Sequence, residues 1–73
     1  MRFDYKAYHI HCRARHDEDG QFYAHAIITR GPGEDGARAE THHSGDLDAF
    51  ADESDALHYA REWAIEWCDE AVG

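Results

Sequence analysis

Four carboxylates in the last third of the chain have the spacing of a binding surface. If residues 52–72 are helical, each residue advances about 100°, and Asp55, Glu62, Glu66 and Asp69 fall within about 60° of one another. From Asp55 to Asp69 the row would be about 21 Å long at the helical rise. A rigid row of carboxylates of that length can face a basic groove as the phosphates of a nucleic acid do. The row is also costly to the helix that bears it. Glu62 and Glu66 are a like-charge i,i+4 pair, and Asp69 and Glu70 sit where the helix dipole is negative. Each such placement costs a few tenths of a kcal/mol. A face that served only solubility would intersperse Lys and Arg.

The seven histidines are the second group with chemical potential. Alternation puts His9, His11 and His25 on one face of a sheet. A hairpin register opposing His11 to His25 would bring the two close enough to share a metal; in other registers they are solvated imidazoles. His58, Glu62 and Glu66 form a further row at i, i+4 and i+8, which needs a facing ligand from another element. His42 and His43 have no assigned role. There is no CxxC and no Cys–His zinc spacing, so no metal or other cofactor is expected.

Nucleophilic chemistry finds little to work with. Ser44 and Ser54 have no base at a telling spacing, and Cys12 is expected to point inward, where a thiol is inert. The Gly31-Pro32-Gly33-Glu34-Asp35-Gly36 stretch reads as a loop. It has no following Lys-Ser/Thr, and its two acids would repel phosphate. The expectation is a protein that is not an enzyme.

The elements that must position these groups are legible from periodicity. Residues 5–15 alternate, with Tyr8, Ile10, Cys12 and Ala14 on one side and His9, His11, Arg13 and Arg15 on the other. Asp19-Gly20 is a hairpin signal. Residues 21–29 alternate again, with Phe22, Ala24, Ala26 and Ile28 facing in and Tyr23, His25, Ile27 and Thr29 facing out. Residues 37–43 read as a third, weaker strand, and 44–51 as a connector in which Phe50 plugs the core. Along the helix, Ala56, Ala60, Ala64, Trp67 and Ala71 form the inner face, flanked by Leu57, Trp63 and Cys68. Asp52 is the expected N-cap, its carboxylate accepting the Asp55 N–H. The predicted fold is α+β: a single domain over residues 1–73, with a three-stranded antiparallel sheet and one C-terminal helix packed on one face, in the order β-β-β-α. Phe3, Tyr8, Phe22, Phe50, Trp63 and Trp67 are the expected bulk of its small core.

Composition narrows the partners. The formal charge is −9, unevenly spread: residues 1–45 are net −1, and residues 46–73 hold nine acids against Arg61 alone, net −8. That balance argues against direct binding to nucleic acid or to an anionic membrane, and favours a basic partner. No run of about 18 apolar residues exists to span a membrane. The opening Met1-Arg2-Phe3-Asp4 has no apolar signal region, so a cytoplasmic protein with Cys12 and Cys68 as reduced thiols is expected.

Two resemblances add to this. The run Asp19-Gly20-Gln21-Phe22-Tyr23-Ala24, with Ser54-Asp55-Ala56-Leu57-His58-Tyr59-Ala60-Arg61-Glu62-Trp63, resembles the small bacterial HicB-like β-β-β-α domains. Those pair a "DG-aromatic-x-A" strand with an "EAL-x-x-A" helix. This resemblance implies the same fold and an antitoxin or accessory domain that binds a small toxin. As a class, a short acidic chain of this kind looks like the phage-encoded anti-CRISPR inhibitors, which implies an acidic face that blocks the DNA channel of a bacterial CRISPR surveillance complex. The leading expectation is therefore an inhibitory DNA mimic, monomeric or homodimeric. It would contact its partner through Asp55, Glu62, Glu66 and Asp69, with Tyr59 and Tyr23 as exposed aromatic anchors. Protonating all seven histidines would move the formal charge from −9 to −2. Affinity for a basic partner, measured by calorimetry at about pH 7.5 and again at about pH 5.5, should fall on acidification.

Overall fold

The computed structural model describes residues 1–31 and 40–72. Among them, an antiparallel sheet is followed by one long helix that covers one of its faces, the α+β arrangement expected. In chain order the elements are β1 (Arg2–Tyr5), β2 (Tyr8–His16), β3 (Phe22–Arg30), β4 (Glu40–His43), β5 (Ala49–Phe50) and α1 (Glu53–Val72). The sheet order is β1-β2-β3-β4, with β5 also paired to β3.

The sheet is wider than the three strands expected. Residues 1–4, which read as a lead-in, belong to an edge strand, with Phe3 opposite Ile10 and Tyr5 opposite Tyr8. Met1 extends that ladder: the Cys12 N–H donates to the Met1 carbonyl at 2.7 Å, and the terminal ammonium donates to the Cys12 carbonyl at 3.0 Å. The turn into β2 puts Lys6 at φ 54°. A non-glycine residue there costs roughly 1–2 kcal/mol, and no Gly or Asn announced the turn. Of the third strand, β4 is the described part; the rest of that expectation, and the 31–36 loop beyond Gly31, lie outside the described residues.

The Asp19-Gly20 hairpin forms. Gly20 takes φ 82°, the Asp19 carboxylate accepts the Gln21 N–H at 2.9 Å, and the Asp17 N–H donates to the Gln21 carbonyl at 3.0 Å. That closes a loop over residues 17–21 and opens the ladder at His16 opposite Phe22.

On the other side of β3, the connector completes the sheet. Ser44 Oγ accepts the Ala26 N–H at 2.8 Å, the Leu47 N–H donates to the Ala24 carbonyl at 2.8 Å, and the Ala24 N–H donates to the Asp48 carbonyl at 2.9 Å. Ala24 and Ala26 are buried, so these bonds satisfy backbone groups that water cannot reach. Phe50 then pairs with Phe22 in the sheet before the helix begins. Helix entry is marked by the Asp52 carbonyl, which accepts the Ala56 N–H at 3.2 Å. The expected bond from the Asp52 carboxylate to the Asp55 N–H is not among the hydrogen bonds of the described residues.

The expected inward residues of β2 and β3 do face the helix, but the core is not built of rings. At its centre Ala24, Ala26, Ala56, Ala60, Ala64 and Cys68 are fully buried, joined by Ile10, Ile28, Cys12 and Tyr8. Phe3, Phe22, Phe50, Trp63 and Trp67 are half-buried and pack around that centre. The reason is steric: small residues line both layers of the buried cluster, and of the rings only Tyr8 is buried within it, the others packing at the margin. Cys68 takes the inner place expected for Ala71, which is exposed. Ala60→Leu should overpack this contact and cost about 1–3 kcal/mol. Ala71→Leu should stay within about 0.5 kcal/mol. Urea denaturation followed by circular dichroism distinguishes the two.

Candidate functional site

The outer face of α1 carries Asp55, Glu62, Glu66 and Asp69, all exposed. Their surroundings differ. Asp69 accepts from the Lys6 ammonium at 2.7 Å and from the Tyr5 hydroxyl at 2.8 Å, which ties the last turns of the helix to the β1–β2 turn. These bonds, from Lys6 first and Tyr5 second, hold the Asp69 carboxyl below its ordinary 3.8 and raise the Lys6 and Tyr5 groups above their ordinary values. Glu62 meets the Arg61 guanidinium at 2.9 Å and His58 at 4.0 Å. Asp55, Glu66 and the neighbouring Glu70 have no ion-pair or hydrogen-bond partner among the described residues.

Tyr59 and Tyr23 lie on opposite sides of the sheet. Tyr59 is 39% exposed, shares the helix face with the acids, and rests on Phe50 at 5.3 Å between ring centroids. Tyr23 is half-buried on the helix-free face; its hydroxyl donates to Asp19 at 2.6 Å, and the Arg15 guanidinium lies 4.8 Å over its ring. A partner docked on the helix cannot touch Tyr23, because the sheet lies between them. The expectation of one surface holding both tyrosines is corrected on that ground.

The helix-free face gathers arginines and histidines, with acids beside them. β2 directs His9, His11, Arg13 and Arg15 there, joined by Arg2 from β1, His25 from β3 and His43 from β4. His11 stands opposite Ile27, and His25 opposite Arg13, so the register does not oppose His11 to His25. His25 instead lies edge-on to His43, 6.1 Å between centroids. Burial, then Arg2, the N-terminus and Arg13, pushes the His11 imidazole below its ordinary value. Three acids answer the arginines and histidines: Asp4 meets His9 at 2.6 Å, and Asp46 and Asp17 meet Arg15 at 2.8 and 3.5 Å. Shallow grooves of about 410 Å³, beside Arg2, His9 and His11, and about 210 Å³, beside Arg13, Arg15 and His25, run along this face. Among the described residues no three His, Cys, Asp or Glu side chains converge as a metal site would require. Cys12 and Cys68 are free and buried, and burial pushes both thiols up.

One constellation was not read from the sequence. Trp63 and Trp67, assigned there to the core, stand half-exposed at its margin. His42 stacks on Trp67 at 4.7 Å and 15°, and lies nearly parallel to Trp63 at 6.1 Å and 8°. Tyr8 meets Trp67 edge-on at 5.8 Å. On the side of the acids, Trp63, Trp67, Glu66 and Glu70 line a groove of about 280 Å³. The signal was present: two indoles at i,i+4 on the edge of the apolar arc, interleaved with two glutamates at i,i+4.

No family model matches this chain, and no curated protein or solved structure was found to match it. No helix of the described residues is long and apolar enough to cross a membrane.

The Asp69 anchor has a pH signature. Its carboxyl is depressed in the folded chain, so its contribution to stability is present above about pH 4 and is lost as pH falls through the folded value, below 3.8. Asp69→Asn should therefore lower the melting midpoint at pH 7. The gap between variant and parent should narrow as pH falls below 3.8 and through the folded value, when both are scanned by circular dichroism.

Proposed function

We propose that this chain is a non-enzymatic, inhibitory binding protein whose helix face docks a basic, nucleic-acid-binding surface of a bacterial protein. The observation that carries this reading is the charge left unanswered on α1. Asp55, Glu66 and Glu70 are exposed without partners among the described residues, and the last turn of the helix has no basic residue. Carboxylates held on a helix are already in place when a cationic groove arrives, so little conformational entropy is lost on binding. Charges of this kind accelerate encounter and fix orientation, and an aromatic anchor adds affinity. Tyr59, exposed on the same helix face as the acids, would supply that anchor. A CRISPR surveillance complex is the target that the class resemblance implies, with the acidic face standing in for DNA.

The helix-free face favours a second reading, a HicB-like antitoxin or accessory domain that grips a small toxin through its sheet. Arg2, Arg13 and the histidines would then make the contact, and the acids of α1 would be a solvated face.

The experiment is capture from nuclease-treated bacterial lysate at low salt, with the parent chain and with Asp55→Asn/Glu62→Gln/Glu66→Gln. Asp69 is left intact because it holds Lys6 and Tyr5. The parent should retain a nucleic-acid-binding complex that competing DNA releases. The triple variant should lose at least about tenfold in affinity, which falls with salt, at an unchanged or higher melting midpoint, since a like-charge pair is removed. Undiminished capture by the triple variant, or loss only on substitution of Arg2 and Arg13, would refute the helix-face reading.

A further inference from the structure

Trp63, Trp67, Glu66 and Glu70 alternate along one flank of α1 and line a groove of about 280 Å³. Its two walls differ in chemistry. The indoles are half-buried, which fixes them against the sheet while leaving ring surface open. Both glutamates are exposed, and neither has a partner among the described residues. An aromatic face attracts a cation through its quadrupole, and a carboxylate beside it can accept that cation's hydrogen bonds. His42 already stacks on Trp67 at 4.7 Å and lies nearly parallel to Trp63 at 6.1 Å, so part of the indole surface is taken and a second planar cation must use the part that lines the groove. The nearest base on the helix, Arg61, points away toward Phe3, its guanidinium 5.6 Å from that ring.

We propose that this groove is the seat of an arginine side chain from the partner, its guanidinium stacked on the indoles and bonded by Glu66 and Glu70. The inference rests on the reading of the helix face as a surface for a basic protein, and gives that surface its anchor. A guanidinium is planar, weakly hydrated and forked, so it can stack and bond at once; a lysine ammonium matches the charge but not the plane. The groove lies next to Tyr59 and the acid row, so an arginine seated here places the rest of a basic surface over Asp55 and Glu62.

The chain contains two tryptophans, both lining this groove, so its tryptophan emission reports on the site; Trp67 also borders a second groove beside Tyr8, Arg30 and His42, and the glutamate variants separate the two. The test titrates a hexa-arginine peptide into the full chain at low salt, with hexa-citrulline as the neutral isostere. Emission and calorimetric heat are followed together. The expected result is a saturable emission change with hexa-arginine and none with hexa-citrulline. Glu66→Gln/Glu70→Gln should weaken binding by at least about tenfold. Glu18→Gln/Glu53→Gln, which removes the same charge elsewhere, should weaken it by less than about threefold. All four are exposed side chains, and circular dichroism checks that each variant is folded. Equal losses in the two double variants would overturn the groove in favour of net charge. Calorimetric binding with silent emission would overturn the groove and leave the helix-face reading standing. Absence of any hexa-arginine binding would remove both.

Discussion

The contact on which the structure depends is a close one between small residues. Ala24 and Ala26 on β3 meet Ala56, Ala60, Ala64 and Cys68 on α1, and all six are essentially inaccessible to water. A chain of 73 residues has little apolar volume to spend, and a sheet and helix lined with alanine can approach until dispersion contacts are dense. The consequence is carried outward. With the centre filled mostly by methyl groups and the Tyr8 ring, the other rings pack at the margin. Phe3, Phe22, Phe50, Trp63 and Trp67 form a collar that shields the alanine seam and presents aromatic surface at the edge of the helix. The aromatic groove is thus a product of how the core is packed.

Much of this could be read from the order of residues. The alternation in β2 and β3 and the helical period in α1 each bury a different residue type on a fixed repeat, and those repeats survive any uncertainty about neighbours. What escaped was set by single backbone events. The edge strand β1 is four residues long, and its turn is made by Lys6 at φ 54°, a residue with no turn preference to betray it. The two-residue β5 is held by bonds from Ser44, Leu47 and Asp48 that no periodicity encodes. The hairpin register turned on where the loop closes. Gly20 sits inside the loop, so Phe22 and not Gly20 faces His16, and His11 lands opposite Ile27, two residues from the pairing that would have joined it to His25.

The candidate site was legible by side of the molecule more than by residue. A formal charge of −9 describes the chain as a whole, but the sheet divides it. The helix carries a row of carboxylates, whereas beneath the sheet Arg2, Arg13, Arg15 and four histidines are interleaved with Asp4, Asp46 and Asp19. Sequence alone put the acids on the correct face, because helical angle depends only on residue number. It placed Tyr23 on the open face and Tyr59 on the helix, yet named both as anchors of one surface, because exposure was the criterion for an anchor and the sheet between the two was not weighed. It passed over Trp63 and Trp67 because apolar bulk on a helix ordinarily means core, and only the alanine seam makes these indoles peripheral.

Asp69 shows how a helix with so much negative charge at its C-terminal end is held in place. The last turns carry Asp69 and Glu70 and no base, an arrangement that opposes the helix dipole. The missing cation comes from another element. The β1–β2 turn delivers the Lys6 ammonium to within 2.7 Å of Asp69, close to where a lysine in the last turn of the helix would act. The left-handed backbone at Lys6 and the unfavourable acid at Asp69 are therefore linked, each disfavoured locally and each answered by the other. Lys6 pairs with Asp69 and forms no ion pair with Glu66 or Glu70, which stay exposed and without partners among the described residues. A helix stabilised by its own lysines, four residues from each acid, would leave no carboxylates unpaired as Asp55, Glu66 and Glu70 are among the described residues. Bringing the compensating charge in from the sheet is what allows the dipole to be answered and the outer face to remain anionic.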